Sequence, residues 1–174
     1  MRARHRIALM LPPLVPGQAA MAQSIGWSAL DIAGYHSFVQ NWTPDNAPLC
    51  AALSSSGDWE KVLHPAPTLF SHAPYAPAES FWKHHTVLLV ARVIDTGPTA
   101  AVFTGISINR EGTVVTVSYR FIPNAKASSQ IKWPLMLSVA KLPAGTVRFV
   151  ENGHEVCLIR PGRSGWISPS SMRR

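Results

Sequence analysis

The stretch Thr113-Val114-Val115-Thr116-Val117-Ser118-Tyr119-Arg120-Phe121 decides the fold. Its odd positions Val115, Val117, Tyr119 and Phe121 are apolar, while Thr116, Ser118 and Arg120 are polar. That period of two is the signature of a strand with one buried face. Just upstream, Val102, Ile106 and Ile108 are apolar at even spacing and Ser107 is polar, which predicts a second strand. Asn109-Arg110-Glu111-Gly112 joins the two: Asn109 starts turns readily and Gly112 accepts the positive φ of a short hairpin loop. Before this hairpin lies the apolar run Thr86-Val87-Leu88-Leu89-Val90-Ala91-Arg92-Val93-Ile94, ended by Gly97-Pro98.

Working outward, residues 23–35 are mildly apolar and read as a first short strand or a loose arm. Residues 36–42 carry Phe38 and Trp42 at even spacing, a weak strand, and residues 43–48 a turn. Residues 57–64 predict a short helix: Ser56 caps its first turn, Asp58 suits its N-terminus, and Trp59, Val62 and Leu63 share one face before Pro65 stops it. Residues 64–78 contain Pro65, Pro67, Pro74 and Pro77 and read as a long loop. Residues 122–131 read as a polar connection. In residues 134–141, Leu135, Leu137 and Val139 alternate with Met136 and Ser138, giving another strand. After Pro143-Ala144-Gly145, residues 146–151 and 155–160 form strands joined by the two-residue hairpin signal Asn152-Gly153. The fold class that follows is α+β, mostly β, with an antiparallel sheet and one short packed helix.

The first 22 residues read as a secretory signal peptide: a basic start (Arg2, Arg4, His5, Arg6), an apolar segment over residues 7–15, and the small-x-small site Ala20-Met21-Ala22. The apolar segment is too short to span a bilayer, which takes about 20 residues. Residues 23–160 then form a single β-rich domain and residues 161–174 a disordered basic tail. The expected location is periplasmic or secreted, with no stable membrane span.

The chain has 16 Lys and Arg against 9 Asp and Glu, a net charge of +7. Seven of those cations lie in the leader or in the last 15 residues, where no acid occurs, so residues 23–159 balance to zero. A basic stripe on the fold is therefore absent from the pattern, and nucleic acid is not the expected partner. The two cysteines, Cys50 and Cys157, are disulfide candidates in an oxidising compartment. Closing a loop of about 107 residues is worth roughly 4–5 kcal/mol in the chain-entropy picture. Two buried free thiols are the alternative.

No catalytic constellation stands out. The seven histidines lack metal-ligand spacing: His84 and His85 are adjacent, so on a strand they face opposite ways, and His64 and His72 merely flank the Pro-rich loop. Gly162-Arg163-Ser164-Gly165 misses the nucleophile-elbow pattern. Asp58, Glu60 and Asp95 sit at a helix start or a strand end, where solvated carboxylates are ordinary. No catalytic, cofactor or metal residue is assigned. Of the six tryptophans, Trp59, Trp82 and Trp133 fall where core anchors belong, whereas Trp42 and Trp166 are candidates for partner contact.

The order of these pieces resembles a known family. Ser56-Gly57-Asp58-Trp59 precedes a Pro-rich link, then Phe81 and Thr86-Val87-Leu88-Leu89-Val90, then Thr104-Gly105-Ile106-Ser107-Ile108. Trp133-Pro134-Leu135-Met136-Leu137-Ser138-Val139-Ala140-Lys141-Leu142-Pro143 and Val147-Arg148-Phe149 complete the set. Over residues 56–151 this resembles the C-terminal domain of PrcB-type proteins, named for a subunit of a secreted bacterial protease complex. The resemblance implies a non-catalytic extracytoplasmic β-rich domain that assists or binds a protease, with no catalytic residues to carry over. The expected function is thus a protein-binding module whose partner is another extracytoplasmic protein. Two rival readings are a periplasmic hydrolase or metal enzyme using His64, His72, His84 or Asp58, and a structural envelope protein.

Overall fold

The run over residues 86–91 is apolar at nearly every position because both faces of its strand are covered. The computed structural model describes residues 21–30, 35–36, 48–63, 66–67, 76–95, 102–123 and 130–160. In chain order its elements are β1 (Gln23–Ser24), β2 (Trp27–Ala29), β3 (Tyr35–His36), β4 (Leu49–Leu53), α1 (Ser56–Val62), β5 (Ala66–Pro67) and α2 (Phe81–His84). There follow β6 (His85–Asp95), β7 (Val102–Glu111), β8 (Val114–Ile122), β9 (Gln130–Ala140), β10 (Thr146–Glu151) and β11 (His154–Ile159). One sheet has the order β1-β7-β8-β10-β11, the other β2-β9-β6-β4, and β3 pairs separately with β5.

The two larger sheets face each other. Leu88 and Val90 of β6 and Leu137 and Val139 of β9 pack with Ile108, Val115, Val117, Val147 and Phe149 of the opposite sheet. The alternate side chains Val87, Leu89, Ala91 and Met136 point outward and are covered by Trp59, Val62 and Leu63 around α1 and by Trp82 of α2. Layers therefore run sheet, sheet, helices, as expected of a mostly β, α+β fold. Burying Phe149 at the centre is worth roughly 1.5–3 kcal/mol.

The hairpin forms as expected, but its turn is tighter. Glu111 pairs with Val114, so only Gly112 and Thr113 are left in the loop. Gly112 has φ +56°, the positive value that a two-residue turn needs at its first central position. Farther along, Gly105 (φ +60°) lies in a bulge where the pairing passes from Thr104–Arg120 to Ser107–Ser118. The extra residue reverses the alternation, so Phe103 and Ile106 both reach the inter-sheet core. At Asn152-Gly153 both residues have positive φ, as an Asn-Gly hairpin demands. The Asn152 side chain also accepts from Phe121 N and donates to Phe121 O, at 3.1 and 3.2 Å.

Several expectations are corrected. Ser55, not Ser56, caps α1: its hydroxyl accepts from Asp58 N at 3.0 Å, while Ser56 donates to Glu79. A one-turn helix, α2, precedes β6, so His84 closes a helix and His85 opens a strand. Ile122 and Gln130 belong to strands, which shortens the polar connection at both ends. Trp133 is 40% exposed and lies outside the packed core, unlike its neighbour Leu135 on the same face of β9. One pairing is parallel, β10 with β8, within otherwise antiparallel sheets. Pro134 sits inside β9 without cost to the ladder. Met136 O accepts from Leu30 N, so the even β9 residues turn their backbone away from β6, and the donor that Pro134 lacks belongs to that outer side.

Cys50 on β4 and Cys157 on β11 form a disulfide, with Cα atoms 6.3 Å apart. It ties the edge of one sheet to the edge of the other. At the opposite edges, β1 pairs with β7 and β2 with β9, so residues 23–29 pass from one sheet to the other. The sandwich is thus linked covalently along both seams. Trp42, Trp166, His64, His72, most of the Pro-rich loop, the basic tail and residues 1–20 lie outside the described residues.

Candidate functional site

A sandwich linked along both seams has two mouths, one at each end of the strands. At one of them the pairing register lays out a row across the inner face: Arg110 of β7 opposes Val115 of β8, which opposes Val147 of β10, which opposes Ile159 of β11. Directly paired residues share a face, so these four side chains line up below the opening. Ala52, Ser54 and Thr86 come from the other sheet, and residues 141–145, which carry the chain from β9 to β10, form the rim. The result is a cleft of about 390 Å³.

The rim is set by a close backbone approach. Thr146 N donates to Thr113 O at 2.9 Å, and a Cβ built on Gly145 would lie 2.3 Å from that same oxygen. Only glycine fits there without moving the chain. This contact also starts β10 beside the first residues of β8, which is why the two strands run parallel.

Among the described residues three cationic side chains line the cleft, Arg110, Lys141 and Arg160, against one carboxylate, Asp58. They are not equivalent. Lys141 Nζ donates to the backbone oxygens of Ser54 and Trp82, each at 2.8 Å, so its ammonium braces β4 and α2. Asp58 accepts from Ser54 N and Ser54 Oγ, each at 3.1 Å, and is engaged at the start of α1. Arg110 Nε donates to Gly112 O at 2.9 Å, which leaves its terminal nitrogens for other contacts. Neither Arg110 nor Arg160 has a carboxylate partner among the described residues. Positive charge above an apolar floor concentrates the field on whatever enters, and a guanidinium offers the paired donors that a carboxylate accepts.

At the other mouth the described residues pair their charges. Arg92 of β6 reaches across to Glu151 of β10, with Nε donating to Oε2 at 3.0 Å and Nη2 meeting Oε1. The guanidinium lies 5.3 Å over the Phe121 ring, and Phe103 packs on Tyr119 and Phe121. Burial, with the charge of Glu151 second, holds the Tyr119 phenol far above its ordinary range.

Of the sequence candidates among the described residues, Asp58 alone lines the cleft, and it does so as a helix-start residue. His84 is exposed, and His85 stacks on Phe81 with ring centres 4.6 Å apart. Among the described residues no three His, Cys, Asp or Glu side chains come together as metal ligands. The cleft residues Arg110, Lys141 and Arg160 carried no signal of their own in the sequence. Arg110 reads as part of a loop and Arg160 as the end of the last strand, and they come to one cleft only through the order β7-β8-β10-β11. No described helix is long and apolar enough to cross a membrane. Compared with known proteins, the chain matches no family description, no curated protein and no solved structure.

Proposed function

We propose that this chain is a non-catalytic extracytoplasmic binding module whose open mouth receives a carboxylate-bearing segment of a partner protein. One observation carries the reading: Arg110 and Arg160 line a cleft with an apolar floor, and neither is neutralised by a carboxylate among the described residues. The lining offers hydroxyls from Thr86, Thr113 and Thr146 for further hydrogen bonds, and its one acid among the described residues is engaged by Ser54. Binding is better served by this set than bond cleavage, which needs a nucleophile beside a base. The buried disulfide fits an oxidising compartment, and hence a periplasmic or secreted protein. A protease is the partner class that the PrcB-type resemblance implies, and it is the first to try.

The experiment is a nuclear magnetic resonance titration of the full chain with a short Glu-rich peptide. The expected result is a shift of backbone signals at Arg110, Thr113, Thr146 and Arg160 that fades as salt is raised and is absent in the Arg110→Glu/Arg160→Glu variant. Shifts confined to other surfaces would overturn the cleft assignment. Stronger shifts with single-stranded oligothymidylate would make nucleic acid the ligand. Turnover of a generic ester or peptide substrate that survives in the charge-reversed variant would favour the hydrolase reading.

A further inference from the structure

Gln23 stands where the expected leader ends and the first sheet begins. Met21 is 93% exposed and Ala22 is exposed, while Gln23 is the first residue of β1, paired with Arg110. Hydrolysis of the Ala22–Gln23 bond after Ala20-Met21-Ala22 would leave every described strand intact. From this we infer that the mature chain is modified at residue 23, its N-terminal glutamine closing to pyroglutamate. The inference rests on the secreted reading, since the α-amine exists only once a leader peptidase has cut that bond with water.

The chemistry is internal to the residue. The freed α-nitrogen of Gln23 attacks Cδ of its own carboxamide. The new C–N bond closes a lactam, the Cδ–Nε2 bond breaks, and ammonia leaves with the proton given up by the amine. No oxidant or cofactor takes part. Gln23 is exposed, so the ring has room to form.

The structure also gives the product a consequence. An α-amine with a pKa near 8 is largely protonated at pH 7. Its charge would join Arg110, Arg160 and Lys141 at the same mouth, for Gln23 is the β1 partner of Arg110. Lactam formation removes that charge, leaving Arg110, Arg160 and Lys141 as the cations at the cleft among the described residues. The same step removes the free N-terminus that aminopeptidases require.

The test is mass spectrometry of the N-terminal peptide from the full chain, expressed with its leader in an exporting bacterial host and harvested at early and late times. The expected peptide begins at residue 23, is lighter by one ammonia already at the first harvest, and takes no amine-specific label. A peptide beginning at Gln23 with an open, labelled amine overturns the inference and leaves the secreted reading standing. So does a lactam that is absent at first and accumulates only on storage. A chain that keeps residues 1–22, or starts elsewhere, overturns the secreted reading and the inference with it. In the Gln23→Ala variant the same cut gives an amine that labels fully, which verifies that the label reaches this terminus.

Discussion

The two mouths of the sandwich are built from the same strands and treat charge in opposite ways. At one, Arg92 and Glu151 face each other across the sheets, with side chains 16% and 6% exposed, and aromatic rings surround them. At the other, Arg110 and Arg160 face a cleft and a single acid that is already engaged. A neutralised, half-buried guanidinium is a structural part. An unneutralised one beside a cavity is free to meet a ligand, and this contrast, more than residue type, locates the working surface.

Both mouths depend on the seam that fixes one sheet against the other, so the largest expected effect belongs to the disulfide. The Cys50→Ala/Cys157→Ala variant is expected to lose roughly 4–5 kcal/mol, the loop-closure value for a crosslink spanning 107 residues. Urea unfolding of the oxidised protein and of the variant measures it. Equal midpoints would mean that packing alone holds β4 to β11. Next is the mouth at Arg92: Glu151→Gln takes away the buried carboxylate that meets this guanidinium, an expected loss of about 3 kcal/mol. Replacing both residues with leucine is expected to restore most of that, because two apolar side chains leave no orphaned charge.

How much of this was legible in the sequence differs between the mouths and the middle. The strands of the middle announce themselves: Val115, Val117 and Tyr119 alternate with polar residues because one face of β8 is buried, and the structure buries those three. The helix under Trp59 was readable for the same reason, although a run of three serines, Ser54 to Ser56, hid which hydroxyl caps it. The crosslink was one of two readings, since sequence gives no distance between Cys50 and Cys157. Neither mouth was legible. Arg92 and Glu151 are 59 residues apart, and Arg110 and Arg160 meet only because β10 inserts parallel to β8. No local pattern encodes that insertion; it follows from Gly145 allowing the chain to touch Thr113 O.

Gly145 therefore gives the sharpest test of the open mouth's shape. Gly145→Ala drives a methyl group into a backbone oxygen, and relief requires moving the rim, an expected loss of about 2 kcal/mol. Calorimetry measures that loss, and titration with the Glu-rich peptide is expected to show weaker binding in the folded variant. A variant with unchanged stability would mean that the 141–145 rim is soft.

At the Arg92–Glu151 mouth the matching test uses pH. Folding holds the Tyr119 proton more tightly than the unfolded chain does. Above the ordinary tyrosine value of about 10, the unfolded chain releases that proton and the folded chain keeps it. The unfolded state then binds fewer protons, so stability falls as pH rises, with a slope approaching ~1.4 kcal/mol per pH unit from this residue. Below about pH 9 both states are protonated and the effect vanishes. Tyr119→Phe is expected to remove this share of the alkaline decline, and denaturant midpoints from pH 8 to pH 11 measure it.

The smallest expected effect on stability is the most telling about function. Reversing both guanidiniums of the open mouth, Arg110→Glu with Arg160→Glu, is expected to shift stability by no more than about 0.5 kcal/mol, as for ordinary surface positions. Neither side chain sits in an ion pair among the described residues, and Arg160 is exposed. The same variant is expected to lose the acidic peptide altogether, since two attractions become two repulsions. Stability and binding would then separate cleanly here, whereas at Arg92 any substitution moves stability first. If charge reversal instead costs as much stability as Glu151→Gln, the open mouth is structural too and the contrast between the ends disappears.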